Sequence, residues 1–215
     1  HLEEQGVGFP TPAGPVPIVV GMSLFDLMVG DGSVRPGAAE GRLAANAAAS
    51  DTVEVGRVGA GAGATVGTWR GRDRSAPGGF GFASARRGDL VVAAAMAVNA
   101  AGDVDDGLVS QSVADGVFDS WPERTGAGSL ADGGRDNTTI GVVVTNGAVD
   151  KAGCLLLAQS AHDGLARAIF PPHTRSDGDA VVAAATGGVS VGGAELDILR
   201  VLTVAVVERA IGNAC

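Results

Sequence analysis

The run Asp136-Asn137-Thr138-Thr139 stands directly ahead of the branched stretch Ile140-Gly141-Val142-Val143-Val144. It sets two hydroxyls and an asparagine at the mouth of an apolar segment. A threonine hydroxyl is a weak nucleophile unless a base stands beside it, and a new chain terminus can supply that base. An α-amino group titrates near ~8, whereas lysine titrates near ~10. Cutting the Asn137–Thr138 bond would therefore put nucleophile and base on one residue. In that route the Thr138 hydroxyl attacks the carbonyl of Asn137, an ester forms by acyl shift, and water releases an N-terminal threonine. The same residues have two plainer uses. Asx and Thr punctuate strand starts by bonding nearby backbone, and Asn-Thr-Thr is an acceptor for N-glycosylation. The second fits poorly with a chain whose two cysteines, Cys154 and Cys215, form no disulfide framework and favour a reducing compartment.

Two further runs could carry chemistry. Gly59-Ala60-Gly61-Ala62-Gly63 fits a loose dinucleotide-binding fingerprint after a strand, although the following residues open no persuasive helix. A tight backbone loop explains it as well. Gly188-Val189-Ser190-Val191-Gly192 matches a nucleophile elbow in form. That fold needs its histidine after the serine, and His1, His162 and His173 all precede it, so Ser190 is expected in a turn before the last helix. These runs carry the competing readings, a small-ligand binding protein on the Gly59–Gly67 loop and a serine hydrolase on Ser190.

The elements that must position these groups come from the rest of the chain. At 215 residues, 46% hydrophobic and 18% charged, it can bury one core and fits a single domain. With 35 glycines and 4% aromatics the core must be built of Ala and Val in close layers. A net charge of −9 gives no electrostatic reason for a nucleic-acid partner. Arg70, Arg72 and Arg74 sit among Gly, Pro and Ser and read as a solvated loop. The apolar runs are too short or too interrupted to span a membrane and no signal peptide is visible, so a cytoplasmic protein is expected. The start, His1-Leu2-Glu3-Glu4-Gln5-Gly6, reads as a last helical turn with glycine past its end, implying a missing upstream segment.

Pattern and punctuation predict a loop over 7–15, a strand at 17–20, a helix over 36–49, and a strand over 53–67 running into the glycine loop. Two strands follow within 79–98, ending at Asn99, and a linker over 102–134. After it come a strand at 138–145, a helix at 150–169, a strand at 180–186 and a helix from about 194 to 213. No repeat is evident.

The runs NTTIGVVVTNGAVDKAGCLLLAQSAHDGLARAI and HTRSDGDAVVAAATGG, with PVPIVVGMSLFDL, GAGAGATVG, GGFGFAS and LVVAAAMAVNAAGDV upstream in the same order, resemble the self-processing aminopeptidases of the DmpA, P1 or S58 peptidase family over nearly the whole chain. The resemblance implies an α/β protein with an αββα sandwich like that of N-terminal-nucleophile hydrolases. It implies one precursor cut at Asn137–Thr138, so that residues 1–137 belong to one chain and 138–215 to another. It implies no cofactor or metal, a small-molecule amide substrate, and a homo-oligomer with two processed chains per protomer. Family substrates include the N-terminal residues of short peptides, β-peptides, nylon oligomers and, in the threonine branch that GMSLFDLMVGDGSVRPGAAEGRLAA most resembles, the pantetheine amide of carbapenem biosynthesis.

By the same resemblance Thr138 is the nucleophile and Asn99 an oxyanion-stabilising amide, a contribution typically worth ~3 kcal/mol. Asp177 and Asp179 of Asp-Gly-Asp hold the nucleophile and its amino group. A tight turn before a strand is the plain reading of that tripeptide, and the two are compatible. His162 and His173 read as structural, since a terminal amine makes a histidine base unnecessary. Two positions depart from the family pattern: Thr68 stands where many relatives carry lysine, and Ala180 and Val182 are smaller than the usual residues after Asp-Gly-Asp.

Overall fold

The computed structural model describes residues 1–48, 52–117 and 136–215. In chain order the elements are β1 (Phe9–Thr11), β2 (Gly14–Val16), α1 (Ala38–Ala47), β3 (Thr65–Val66), β4 (Ala76–Pro77), β5 (Gly79–Arg87), β6 (Leu90–Asn99), β7 (Asp103–Val104), α2 (Leu108–Ala114), β8 (Thr138–Ala148), α3 (Lys151–Ala168), β9 (Ile169–Phe170), β10 (Ala180–Ser190) and α4 (Gly193–Gly212). The four long strands form one mixed sheet in the order β10-β8-β6-β5. β6 runs antiparallel to both its neighbours, β5 and β8, while β8 and β10 run parallel, which requires a crossover, and α3 supplies it.

The period of two along the strands decides what each face carries. Val92, Ala94, Met96 and Val98 of β6 and Val143 of β8 enter the core, where they meet Leu157, Ala161 and Leu165 of α3 and Leu199, Val206, Val207 and Ile211 of α4. Both helices therefore cover the same face of the sheet. Asn99, Thr138, Val142 and Val144, of opposite parity, turn to the other face, and Val142 and Val144 are more than a third exposed. Among the described residues the four long strands make the main sheet, with α3 and α4 on one face, and β1–β2, β3–β4 and β7–β9 form separate two-stranded ribbons. Small residues set the spacing: a side chain on Gly81 would collide with the backbone carbonyl of Ala210 in α4. α3 begins where Asp150 accepts the amide of Gly153 at 2.8 Å, an N-cap that satisfies a backbone donor at the helix start.

The four long strands and the last two helices fall where the pattern places them. Several expectations are corrected. Residues 17–20 form no strand; Pro15 and Pro17 remove ladder donors, Ile18 is 78% exposed, and the hairpin β1–β2 occupies the predicted loop. Residues 53–58 contribute only a bridge between Gly56 and Phe80. The linker contains α2, and its residues 118–135 lie outside the described residues. Ser190 is the last residue of β10, paired with Ala148, rather than part of a turn. At Gly61 a side chain would strike the backbone of Gly79 and Phe80, so the close approach that glycine permits is to β5.

Candidate active site

β6 and β8 pair so that Asn99 lies opposite Thr138, and their common parity puts both side chains on the face away from the helices. Thr139 points the other way, into the core, at zero exposure, and among the described residues its hydroxyl has no hydrogen-bond partner. The two adjacent threonines are thus chemically distinct. Only Thr138 turns its hydroxyl to the junction, where Oγ1 donates to the carbonyl oxygen of Asn137 at 2.6 Å. Asp136, Asn137 and Thr138 are all at least 90% buried.

The turn before β10 closes on this junction. The amide of Gly178 donates to the same Asn137 oxygen at 2.8 Å, and Asn137 N donates to Ser176 O at 3.2 Å. Asp179 Oδ1 accepts the amide of Thr139 at 2.7 Å, and its Oδ2 lies 2.7 Å from His173 Nδ1. Asp177 holds the turn itself. Its Oδ1 takes the amide of Ala101 just past β6, at 2.9 Å, and its Oδ2 takes Thr174 N at 2.8 Å and Thr174 Oγ1 at 2.6 Å. The carboxylates therefore divide the work: Asp177 locks the turn onto β6, and Asp179 grips the backbone one residue past Thr138.

Asn99 is nearly enclosed, at 2% exposure. Its Oδ1 accepts Thr65 N at 2.9 Å. Its Nδ2 donates to Phe25 O at 3.1 Å and, longer, to Asp136 O at 3.5 Å. The Asn99 amide thus reaches the carbonyl of Asp136, not that of Asn137.

Thr68 donates to Asn137 Oδ1 at 2.7 Å, so a neutral hydroxyl holds the side chain of the residue before Thr138. Arg72 pairs with Asp136 at 2.7 Å, and Arg70 pairs with Asp103 at 2.7 Å beside Trp69. The loop reading of Arg70 and Arg72 is refined accordingly: Arg72 stays 48% exposed but pairs with Asp136 next to Asn137, and Arg70 pairs with Asp103 of β7. Sequence gave no signal for this, because the partners are 64 and 33 positions away.

Burial raises the pKa of Asp179 above the ordinary carboxylate value. The nearby charge of Asp177 raises it further, against the opposing hydrogen bond from Thr139 and the attraction of His173. Burial likewise lowers the pKa of His162; His173 adds to the shift and Asp163 opposes it. The two imidazoles lie 5.0 Å apart, centroid to centroid. His162 and His173 thus belong to the supporting layer behind Asp179. No group of His, Cys, Asp and Glu capable of holding a metal ion occurs among the described residues, and none of their helices is long and apolar enough to cross a membrane.

The sequence model of peptidase family S58 matches residues 9–215. An uncharacterized aminopeptidase of Mycobacterium leprae is 40% identical over 204 residues, covering 87% of this chain and 54% of that protein. The chain spans about half the length of the curated relatives it matches. Among solved structures, a beta-aminopeptidase of Burkholderia sp. superposes with a TM-score of 0.65 at 25% identity, covering 88% of this chain and 54% of that one. The L-aminopeptidase D-Ala-esterase/amidase of Ochrobactrum anthropi, described as a variant of the Ntn hydrolase fold, gives 0.60 at 23% identity over 82% and 48%. The mixed α/β architecture is that of Ntn-hydrolase-fold aminopeptidases.

Proposed function

The chain belongs to peptidase family S58, and from that premise we propose that it is a self-processing amidohydrolase whose nucleophile is Thr138. The observation that carries the reading is the 2.6 Å contact between Thr138 Oγ1 and the carbonyl oxygen of Asn137. It sets the Thr138 hydroxyl against the oxygen of the carbonyl it would attack, among residues at least 90% buried.

The chemistry runs in two steps. Thr138 Oγ adds to the Asn137 carbonyl carbon, the C–N bond breaks, and the nitrogen leaves as the amine of Thr138 with the hydroxyl proton. Water then hydrolyses the ester, giving the Asn137 carboxylate and restoring the hydroxyl. The freed α-amino group, titrating near ~8, is the base for turnover on external amides. Departure of Asp136 and Asn137 releases the Asn99 amide from Asp136 O, so that it becomes available to a substrate oxyanion, while Asp177 and Asp179 keep the threonine in place.

Aminopeptidase activity fits the aminopeptidases that this chain resembles, and short peptides are the preferred substrate class. Hydrolysis of the pantetheine amide is the alternative, supported by the threonine nucleophile and the run over residues 21–45. Intact mass and N-terminal sequencing of the full-length protein test the reading. A fragment beginning at Thr138 is expected in wild type and a single inactive chain in Thr138→Ala. Full amidase activity with the Asn137–Thr138 bond intact would refute it.

A further inference from the structure

The Asp-Gly-Asp turn presents three residues to the junction, and the two carboxylates do not account for the middle one. Gly178 N donates to Asn137 O at 2.8 Å. This is the oxygen on which negative charge develops when Thr138 Oγ adds to the carbonyl. Asn99, the amide expected to serve as oxyanion donor, is directed to Phe25 O and Asp136 O in the uncut chain. Apart from the attacking hydroxyl itself, the Gly178 amide is therefore the donor that the described residues aim at the scissile carbonyl.

Resting on the self-cleavage reading above, we propose that the backbone N–H of Gly178 is the oxyanion donor of the self-cleavage step, and that Asp177 and Asp179 position it. The Gly178 bond and the bond from Asn137 N to Ser176 O together form a parallel bridge that stands apart from the main ladder. The β8–β10 ladder starts only at Ile140 with Ala180; upstream of it stands a single isolated rung, Asn137 with Asp177. Between them the Thr139 amide leaves the ladder for the Asp179 carboxylate. The interruption frames the scissile bond, with the Gly178 donor on its carbonyl and the Asp179 anchor just beyond its nitrogen. Asp177, tied to Ala101 and Thr174, fixes the turn at both ends, so the donor needs no reorganisation as charge appears. A fixed donor in an enclosed site stabilises a developing oxyanion far more than the same donor in water.

In the reaction the Gly178 proton stays on nitrogen; the hydrogen bond strengthens as C=O becomes C–O⁻ and relaxes as the C–N bond breaks. The test replaces the Gly178 amide with an ester by incorporating glycolic acid in the full-length protein, which deletes the N–H and keeps the backbone path. Self-cleavage is expected to slow by roughly 10²–10³-fold, the loss typical of one oxyanion donor, while the thermal unfolding transition stays cooperative. Cleavage at the wild-type rate would overturn the proposal and leave the nucleophile assignment standing. A wild-type chain that never cuts would instead sink that assignment. If the ester chain does not fold, single-residue hydrogen exchange on full-length Thr138→Ala decides. The Gly178 amide is expected to be protected at least ~10-fold over an unstructured peptide, and exchange at the unstructured rate would overturn the proposal.

Discussion

Thr138 Oγ1 donates to the carbonyl oxygen of its own predecessor, Asn137, at 2.6 Å, while Asn99 lies directly across the sheet from Thr138. The Thr138 hydroxyl, the Asn137 carbonyl and the Asn99 amide group thus meet at the point where β6 ends and β8 begins. Thr138→Ser keeps the hydroxyl but lacks the methyl group that stiffens χ1. Its cleavage is expected to be slower than wild type yet complete, as read by the rate at which the fragment Thr138–Cys215 accumulates. Both pieces should co-elute under native conditions, since β8 remains paired to β6 and β10.

Asn99→Ala is expected to lower turnover by roughly 10²–10³-fold, the cost of one oxyanion donor. It also strands the Thr65 amide, which Asn99 Oδ1 accepts, at a cost of about 1–3 kcal/mol. Asn99→Asp keeps that acceptor and removes the donor. Steady-state kinetics should therefore show a fall in kcat for both variants, and thermal melting a larger drop for Ala. A normal kcat in Asn99→Asp would remove this residue from turnover.

Thr68→Val deletes the hydroxyl that holds Asn137 Oδ1 and preserves shape. Freed of one neutral hydrogen bond worth about 1 kcal/mol, the acyl side of the junction should wander, and self-cleavage should slow by roughly 5-fold. The processed enzyme has already lost that contact and should show a smaller change. Time courses of chain splitting and of amide hydrolysis in the same preparation separate the two effects.

Asp177→Asn and Asp179→Asn should both impair self-cleavage, and they should differ in stability. An exposed turn aspartate would be cheap to replace, at about 1 kcal/mol. The Asp179 side chain is instead only 4% exposed, and Asp177 accepts three hydrogen bonds, a kind worth roughly 1.5–3 kcal/mol each when the acceptor is charged. Asp177→Asn should therefore be clearly destabilising. For Asp179 the raised native pKa means that the folded state holds the proton more tightly than the unfolded chain. Its contribution is best below the ordinary carboxylate value near ~4 and declines as pH rises through the raised native value. Asp179→Asn should flatten that decline in melting temperature, and an unaltered slope would contradict the burial account.

His162 carries the opposite sign. Its native pKa lies below the ordinary imidazole value, chiefly because it is buried, so the unfolded chain binds the proton first as pH falls. The stability is present above ~6.5 and is lost as pH drops through the depressed native value. His162→Gln should reduce the acid-side loss of melting temperature without changing the position of cleavage.

Local pattern was enough for the long elements. The short apolar runs in LVVAAAMAVN and TTIGVVVTNGA, bounded by turn residues, mark strands, and the spacing in the last two helices marks the faces that meet the sheet. Resemblance singled out Thr138 and the Asp-Gly-Asp carboxylates. A bounded apolar run and a period of 3.6 are one-dimensional signatures. Where the outcome depended on distant partners, pattern failed: residues 17–20 are apolar but find no strand to pair with, and Arg72 finds Asp136 across 64 positions. The choice between Thr138 and Thr139 was also tertiary. The register of β8 against β6 sends one hydroxyl to the Asn137 carbonyl and the other into the core. So was the donor on Asn137 O, because a backbone N–H belongs to every residue but proline, and only the fold of the chain around it decides which one is aimed at a reacting atom.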